Sequence, residues 1–140
     1  MKEKFYILSI IIFIIILLGS CKKENLKESF LALGDGYTLG ESISKKNSWP
    51  KQLVDSLKKR NIFLSEPKII AKTGWTTGEL KKVINDSSLD YPYDWVSLLI
   101  GVNNQYRGRD LEEFKLQFES LLSEAIAFSG NRKERVFAIS

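Results

Sequence analysis

The chain has 140 residues, with 21 basic and 17 acidic side chains, no histidine and a formal charge of +4. Its single cysteine excludes an intrachain disulfide. The charges are mixed along the chain rather than clustered, so no basic stripe indicates nucleic-acid binding. About 120 residues follow the apolar N-terminal segment, enough for one domain with one core.

The N-terminus has the pattern of a targeting segment. A short basic start precedes the apolar residues 7–18. This run is shorter than the roughly 20 residues of a membrane-spanning helix and is typical of a signal peptide core. It ends in Leu18-Gly19-Ser20-Cys21, which resembles the lipobox of bacterial lipoproteins, where the cysteine carries the lipid. We predict a signal peptide over 1–20, a tether over 21–28 and a membrane contact through lipid on Cys21; an uncleaved anchor helix is the alternative.

After residue 29, short apolar runs alternate with helical patterns. The runs are typical of buried strands and occupy residues 30–33, 68–71, 95–100 and 135–139. The helices are predicted from Ser48, as a cap, to residue 60, from the capping-box pair Thr76 and Glu79 to residue 85, and from the cap at Asp110 to Gly130. Such alternation predicts an α/β domain with a parallel sheet and helices on both faces.

Three loops follow the first three predicted strands. They read Gly34-Asp35-Gly36, Lys72-Thr73-Gly74 and Gly101-Val102-Asn103-Asn104. Each alone could be an ordinary turn. Ligands of open α/β sheets bind beyond the carboxyl ends of the strands, and three polar, glycine-containing loops at that end predict one site there.

Aromatic residues lie in or beside these loops, at Tyr37, Trp75 and Tyr106. Their rings could stack on a sugar or line an acyl pocket. They could equally cover the core, and the sequence leaves both interpretations open.

Rival motifs are weaker. Gly34-x-Gly36-x-x-x-Gly40 hints at a dinucleotide-binding loop, but Asp35 would repel a pyrophosphate, no helical pattern follows at once and the second strand ends without an acid. Ser42-x-x-Lys45 and Lys72-Thr73-Gly74 match two penicillin-enzyme motifs by letters, but Ser-Asp-Asn is absent and the chain is too short for that fold. No cluster of histidine, cysteine or acid indicates a metal site, and we predict no cofactor.

The three loops together resemble the sequence blocks of the SGNH hydrolases, also called the GDSL family. Residues 31–40 are similar to the first block, which normally reads Gly-Asp-Ser, with the serine as nucleophile. Gly74 matches the glycine of the second block, and Gly101-Val102-Asn103-Asn104 matches the third, usually Gly-x-Asn-Asp. The resemblance covers nearly all of residues 29–140, in order and with suitable spacing.

The resemblance implies a flavodoxin-like three-layer α/β/α sandwich, the SGNH hydrolase fold, over residues 29–140. Family members cleave esters of lipids and sugars and also thioesters, by attack of the serine with a histidine as base. The oxyanion donors carried over to this chain are Gly36 N–H, Gly74 N–H and the Asn103 side chain. The residues expected to support the loops are Gly34, Asp35, Gly101 and Asn104.

This chain departs from the family at the chemical centre. Gly36 stands where the serine nucleophile belongs, and the sequence contains no histidine. It also ends before the family's C-terminal strand and helix and the Asp-x-x-His block, whereas Asn104 in place of aspartate is expected to be tolerated. We therefore expect an inactive copy of an envelope esterase for acylated glycans or lipids. The alternatives are a catalytically dead glycan- or acyl-binding lipoprotein and a pseudogene fragment.

Overall fold

The computed structural model describes residues 27–90 and 92–140. The predicted signal peptide over 1–20, Cys21 and all but the last two residues of the tether over 21–28 lie outside the described residues. Within the described ranges, no helix is both long and apolar enough to cross a membrane.

The centre of the domain is a four-stranded sheet. Its strands are β1 (Phe30–Asp35), β2 (Lys68–Lys72), β3 (Trp95–Leu99) and β4 (Val136–Ala138). They lie in the order β2-β1-β3-β4, and every neighbouring pair is parallel. The predicted parallel α/β architecture is confirmed. The fourth strand is shorter than predicted because a 3₁₀ turn (Lys133–Arg135) precedes it.

Among the described residues, five α-helices connect and flank the strands. They are α1 (Gly36–Leu39), α2 (Trp49–Lys58), α3 (Thr77–Asn85), α4 (Val102–Tyr106) and α5 (Leu111–Phe128), with a further 3₁₀ turn at Lys45–Asn47. The sequence did not predict α1 and α4, which are too short to show an apolar stripe. The expectation that no helix follows the first strand was wrong, since the Asp35 carboxylate accepts a hydrogen bond from Tyr37 N and caps α1 there.

The predicted helix starts are partly confirmed. Thr76 and Glu79 form both hydrogen bonds of the capping box, and the Asp110 carboxylate accepts from Glu113 N at 2.8 Å. Ser48 does not cap α2 through its side chain. It is fully buried under the turn at Gly40, where a Cβ on Gly40 would come 2.8 Å from that of Ser48.

Alternate residues of β1 face opposite sides of the sheet, as the strand period of two requires. Leu31 and Leu33 pack on one side against a core that includes Leu80 of α3 and Leu121 of α5. Phe30 and Ala32 face the other side, with α2. The three-layer α/β/α sandwich is therefore confirmed. An apolar cavity of about 370 Å³ lies on the α2 side, lined by Phe30, Leu53, Leu57, Ile62, Leu64, Trp95 and Phe137.

Candidate active site

The three predicted loops meet at the carboxyl ends of β1, β2 and β3. Together they enclose a cavity of about 550 Å³. It is lined by Asp35, Gly36, Tyr37, Gly40, Glu41, Ser42, Ile43, Thr73, Gly74, Val102, Asn103 and Tyr106. The three residues predicted to hold an oxyanion, Gly36, Gly74 and Asn103, all line this cavity. Of the predicted supporting residues, only Asp35 does so.

The first loop begins at a close backbone approach. A Cβ on Gly34 would come 2.2 Å from Thr38 Oγ1 and 2.5 Å from the Leu99 carbonyl oxygen of β3. The second of these atoms belongs to the sheet backbone and cannot move aside, so only glycine fits. Gly34 therefore acts behind the cavity, by letting β1 turn into α1 beside β3.

Asp35 is fully buried at the start of α1. Its carboxylate accepts hydrogen bonds from Tyr37 N at 3.0 Å and from Asn103 Nδ2 at 3.4 Å. Burial raises the pKa of Asp35, because the charged form loses solvation, and these hydrogen bonds oppose the shift. Asp35 thus links the first loop to the third.

Gly36 is the first residue of α1 and offers only backbone to the cavity. The helix ends at Gly40, whose φ of 80° is left-handed. The N–H groups of Gly40 and Glu41 both donate to the Gly36 carbonyl, at 3.0 and 2.9 Å. The chain consequently folds back, and a Cβ built on Gly36 would lie 2.8 Å from Glu41 Oε2.

Glu41 is the site residue that the sequence analysis missed. Gly40 directly before it is the usual residue after a helix end, but a four-residue helix gives too weak a pattern for that signal to be read. The end of the exposed Glu41 side chain therefore lies close to where a side chain at position 36 would begin.

The second loop holds Gly74 in a left-handed conformation, with φ 81°. Its carbonyl accepts a hydrogen bond from Arg107 Nη2 at 2.6 Å. Arg107 also forms an ion pair with Glu79, at 3.4 Å. A single guanidinium thereby connects this loop to the end of α4 and the start of α3.

The third loop leaves β3 at Gly101, where φ is 134° and a Cβ would come 2.9 Å from the Phe114 ring. Besides its bond to Asp35, Asn103 Nδ2 donates to the Trp75 carbonyl at 3.0 Å. Both amide protons of Asn103 are therefore engaged. To stabilise an oxyanion, this side chain would have to release one of them.

Asn104 is buried and points away from the cavity, towards α3. Its Oδ1 accepts from Thr77 N at 3.0 Å, and its Nδ2 donates to Thr77 Oγ1 at 2.7 Å. Both ends of the amide are satisfied, so this side chain fastens the third loop to the helix that follows the second.

The aromatic residues divide into two groups. The side chains of Tyr37 and Tyr106 are 67% and 89% exposed and line the cavity. Trp75 instead packs against the core. The two tyrosines therefore belong to the site, and Trp75 covers the core.

A parallel sheet with glycine-bearing loops converging at its carboxyl ends, and a cavity over them, defines a flavodoxin-like α/β domain with a candidate ligand site at that edge. The family model of the GDSL-like Lipase/Acylhydrolase family matches residues 32–139. The chain belongs to this family. Curated protein sequences give no significant match.

Solved structures of SGNH hydrolases share the fold. AlinE4, an SGNH-hydrolase family esterase, is 24% identical with a TM-score of 0.66, over 80% of this chain and 58% of that one. The esterase EstA from Pseudoalteromonas sp., in a structure inhibited by monoethylphosphonate, is 20% identical with a TM-score of 0.55, over 74% of this chain and 56% of that one. A lipolytic G-D-S-L family protein from Veillonella parvula DSM 2008 is 16% identical with a TM-score of 0.53, over 79% of this chain and 55% of that one. The chain therefore spans little more than half the length of these structures.

Proposed function

We propose that this chain keeps the ester-binding pocket of an SGNH hydrolase without serine-dependent hydrolysis, and that it acts at the cell envelope, held by lipid on Cys21. The observation that supports this proposal most directly is the glycine at position 36. It lies at the turn from β1 into α1, where the family has its serine, and the cavity above it is formed. The ligand class is an ester such as an acylated glycan or lipid.

Two features support binding without turnover. No hydroxyl exists at position 36, and no histidine exists in the sequence to activate one. Loss of a catalytic triad lowers rates about 10⁶-fold in enzymes where it was dissected. What remains is the backbone of Gly36 and Gly74 beside the cavity, together with the Asn103 amide once it releases one of its present bonds, and these groups can orient a carbonyl group.

The test measures turnover and binding on the same molecule. The full chain in a nonionic detergent is given p-nitrophenyl butyrate, with release of nitrophenolate followed by absorbance and binding followed by saturation-transfer NMR on the intact ester. We expect saturation transfer and no release above background. A pocket-filling variant, Thr73→Trp, should abolish the transfer, whereas Ser123→Trp on the exposed side of α5 should preserve it.

Either of two results would contradict the proposal. Turnover by the unmodified chain that Thr73→Trp abolishes would mean that the pocket retains a working nucleophile. Absence of saturation transfer for the unmodified chain would mean that the cavity does not accept esters.

A further inference from the structure

The charge of the cavity lining is opposite to that of the whole chain. Asp35 and Glu41 line it, and its described lining residues include no lysine or arginine, although the chain carries a net +4. The guanidinium next to the cavity, that of Arg107, is held by the Gly74 carbonyl at 2.6 Å and by Glu79 at 3.4 Å. Because Asp35 is fully buried and hydrogen-bonded, an anionic ligand would face the Glu41 carboxylate with no lysine or arginine among the lining residues.

The rim of the cavity carries two aromatic faces. Tyr37 follows Gly36 directly, and Tyr106 ends α4 on the third loop. Both residues are largely exposed, so neither ring is buried in the core. Cations bind over such ring faces within about 6 Å of the centroid, and quaternary ammonium groups are bound by sets of aromatic rings.

Apolar and acidic side chains also line the cavity. Ile43 and Val102 also line the cavity and are 52% and 42% exposed, and they offer the surface that N-methyl groups need. Glu41 is exposed and lines the cavity, so its carboxylate supplies a counter-charge there. Aromatic rings, apolar side chains and one carboxylate together match a methylated cation better than a sugar hydroxyl or a fatty-acid carboxylate.

We propose that this pocket selects esters of a quaternary ammonium alcohol, with the trimethylammonium group against Tyr37, Tyr106 and the Glu41 carboxylate. This proposal rests on the proposed function, since it names the ligand class of the same pocket. The carbonyl group of such an ester lies a few atoms from the cation, within reach of the backbone at Gly36 and Gly74.

The experiment uses choline as the probe and 3,3-dimethylbutan-1-ol as its neutral match in shape. The full chain in nonionic detergent is titrated with each compound, and with acetate, by isothermal titration calorimetry and saturation-transfer NMR. Choline should bind at least about 10-fold more tightly than the neutral alcohol, and acetate should not bind. Raising the salt concentration should weaken choline binding, because part of the attraction is between charges.

Variants distinguish the contribution of the Glu41 charge to choline binding from that of the tyrosine rings. Glu41→Gln should weaken choline binding about 10-fold without affecting the neutral alcohol, and Tyr106→Leu should weaken it about 3-fold to 10-fold. Glu119→Gln, on the exposed side of α5, is the matched charge control and should leave binding unchanged. Because Tyr106 is 89% exposed, its variant should fold even if Glu41→Gln does not.

The choline titrations can fail independently of the test with p-nitrophenyl butyrate. Equal affinity for choline and the neutral alcohol, tighter binding of acetate, or a choline affinity that neither variant changes would overturn the choice of ligand. If p-nitrophenyl butyrate still binds in that case, the pocket accepts esters but not quaternary ammonium ligands in particular. If neither choline nor the ester binds, both proposals are wrong.

Discussion

The carboxylate of Glu41 lies close to the position from which a side chain at Gly36 would extend. A Cβ on Gly36 would come 2.8 Å from Glu41 Oε2. The turn at Gly40 brings the two residues together, because the N–H of Glu41 donates to the Gly36 carbonyl at 2.9 Å. A serine introduced at position 36 would therefore begin near this carboxylate.

Gly36→Ser alone should not produce an esterase. A serine hydroxyl at its ordinary pKa is a weak nucleophile that needs an adjacent base, and the sequence has no histidine. Hydrolysis of p-nitrophenyl acetate should stay at background, about 10⁶-fold below an intact triad. Rescue should require Gly36→Ser together with a histidine base placed within hydrogen-bond reach of the new hydroxyl. Turnover by Gly36→Ser that disappears in Gly36→Ser/Glu41→Gln would instead identify Glu41 as its base.

The two neighbouring asparagines of the third loop should differ in their effect on stability. Asn104→Ala removes the acceptor of the buried Thr77 N–H and the donor to Thr77 Oγ1, although that hydroxyl keeps its bond to Gln117 Oε1. A buried donor left unpaired costs about 1–3 kcal/mol. We expect a loss near 3 kcal/mol, or a fall in Tm of about 10 °C or more. Asn103→Ala removes only the bonds from Asn103 Nδ2 to Asp35, at 3.4 Å, and to the Trp75 carbonyl beside the cavity, and should cost about 1 kcal/mol. Thermal unfolding followed by circular dichroism compares them, and equal losses would show that Asn103 is as structural as Asn104.

Acid stability should depend on Asp94, at the end of the sheet remote from the cavity. Hydrogen bonds from the backbone N–H and hydroxyl of Ser29, at 2.8 and 2.9 Å, lower the pKa of Asp94 from its ordinary value of 3.8 despite partial burial, and the charges of Arg132 and Arg135 lower it further. A carboxyl group whose folded pKa is lowered stabilises the fold above its unfolded pKa, and that stability is lost as the pH falls through the folded pKa.

Asp94→Asn should therefore lower the free energy of unfolding at pH 7 by about 1 kcal/mol, after allowance for its partial exposure. The difference from the unmodified chain should shrink as the pH falls below 3.8. Urea unfolding at pH 7, 5 and 3 measures this, with Asp55→Asn on the exposed side of α2 as control. A difference that stays constant over this range would show that charge at Asp94 does not contribute.

The outer edge of β4 should promote self-association. β4 pairs with β3 on one side, and its other side has no strand neighbour among the described residues. An open edge next to an apolar face invites pairing with another chain. Sedimentation velocity of the full chain in nonionic detergent should show oligomers, which Ala138→Lys should reduce. A monodisperse monomer with a cooperative melt would contradict this.

Lipidation at Cys21 stays a prediction of the sequence. Cells that express the unmodified chain and are fed radiolabelled fatty acid should label it and retain it in the membrane fraction. Cys21→Ala should lose the label. It should also leave the membrane fraction, provided that the preceding apolar segment is not itself a membrane anchor. Equal labelling of both proteins would rule out this cysteine as the acceptor.

The sequence alone determined the architecture, because its signals are local. Apolar runs mark the strands, Thr76 and Glu79 mark the start of α3, and the glycine-bearing loops must meet because parallel strands end at one edge of the sheet. Short helices gave no such signal: α1 and α4 have four and five residues, too few for an apolar stripe. Ser48 does not cap α2, because its burial under the turn at Gly40 overrides its helix-capping propensity.

Only the tertiary structure decided what the cavity contains. Asn104 and Thr77 are 27 residues apart in sequence, and no local pattern connects them. Whether Tyr37, Tyr106 or Trp75 covered the core depended on which elements packed beneath each ring. The position of Glu41 over Gly36 depended on a left-handed residue at the end of a four-residue helix. Chemistry at this site comes from side chains brought together across loops, and those distances are set by packing rather than by sequence spacing.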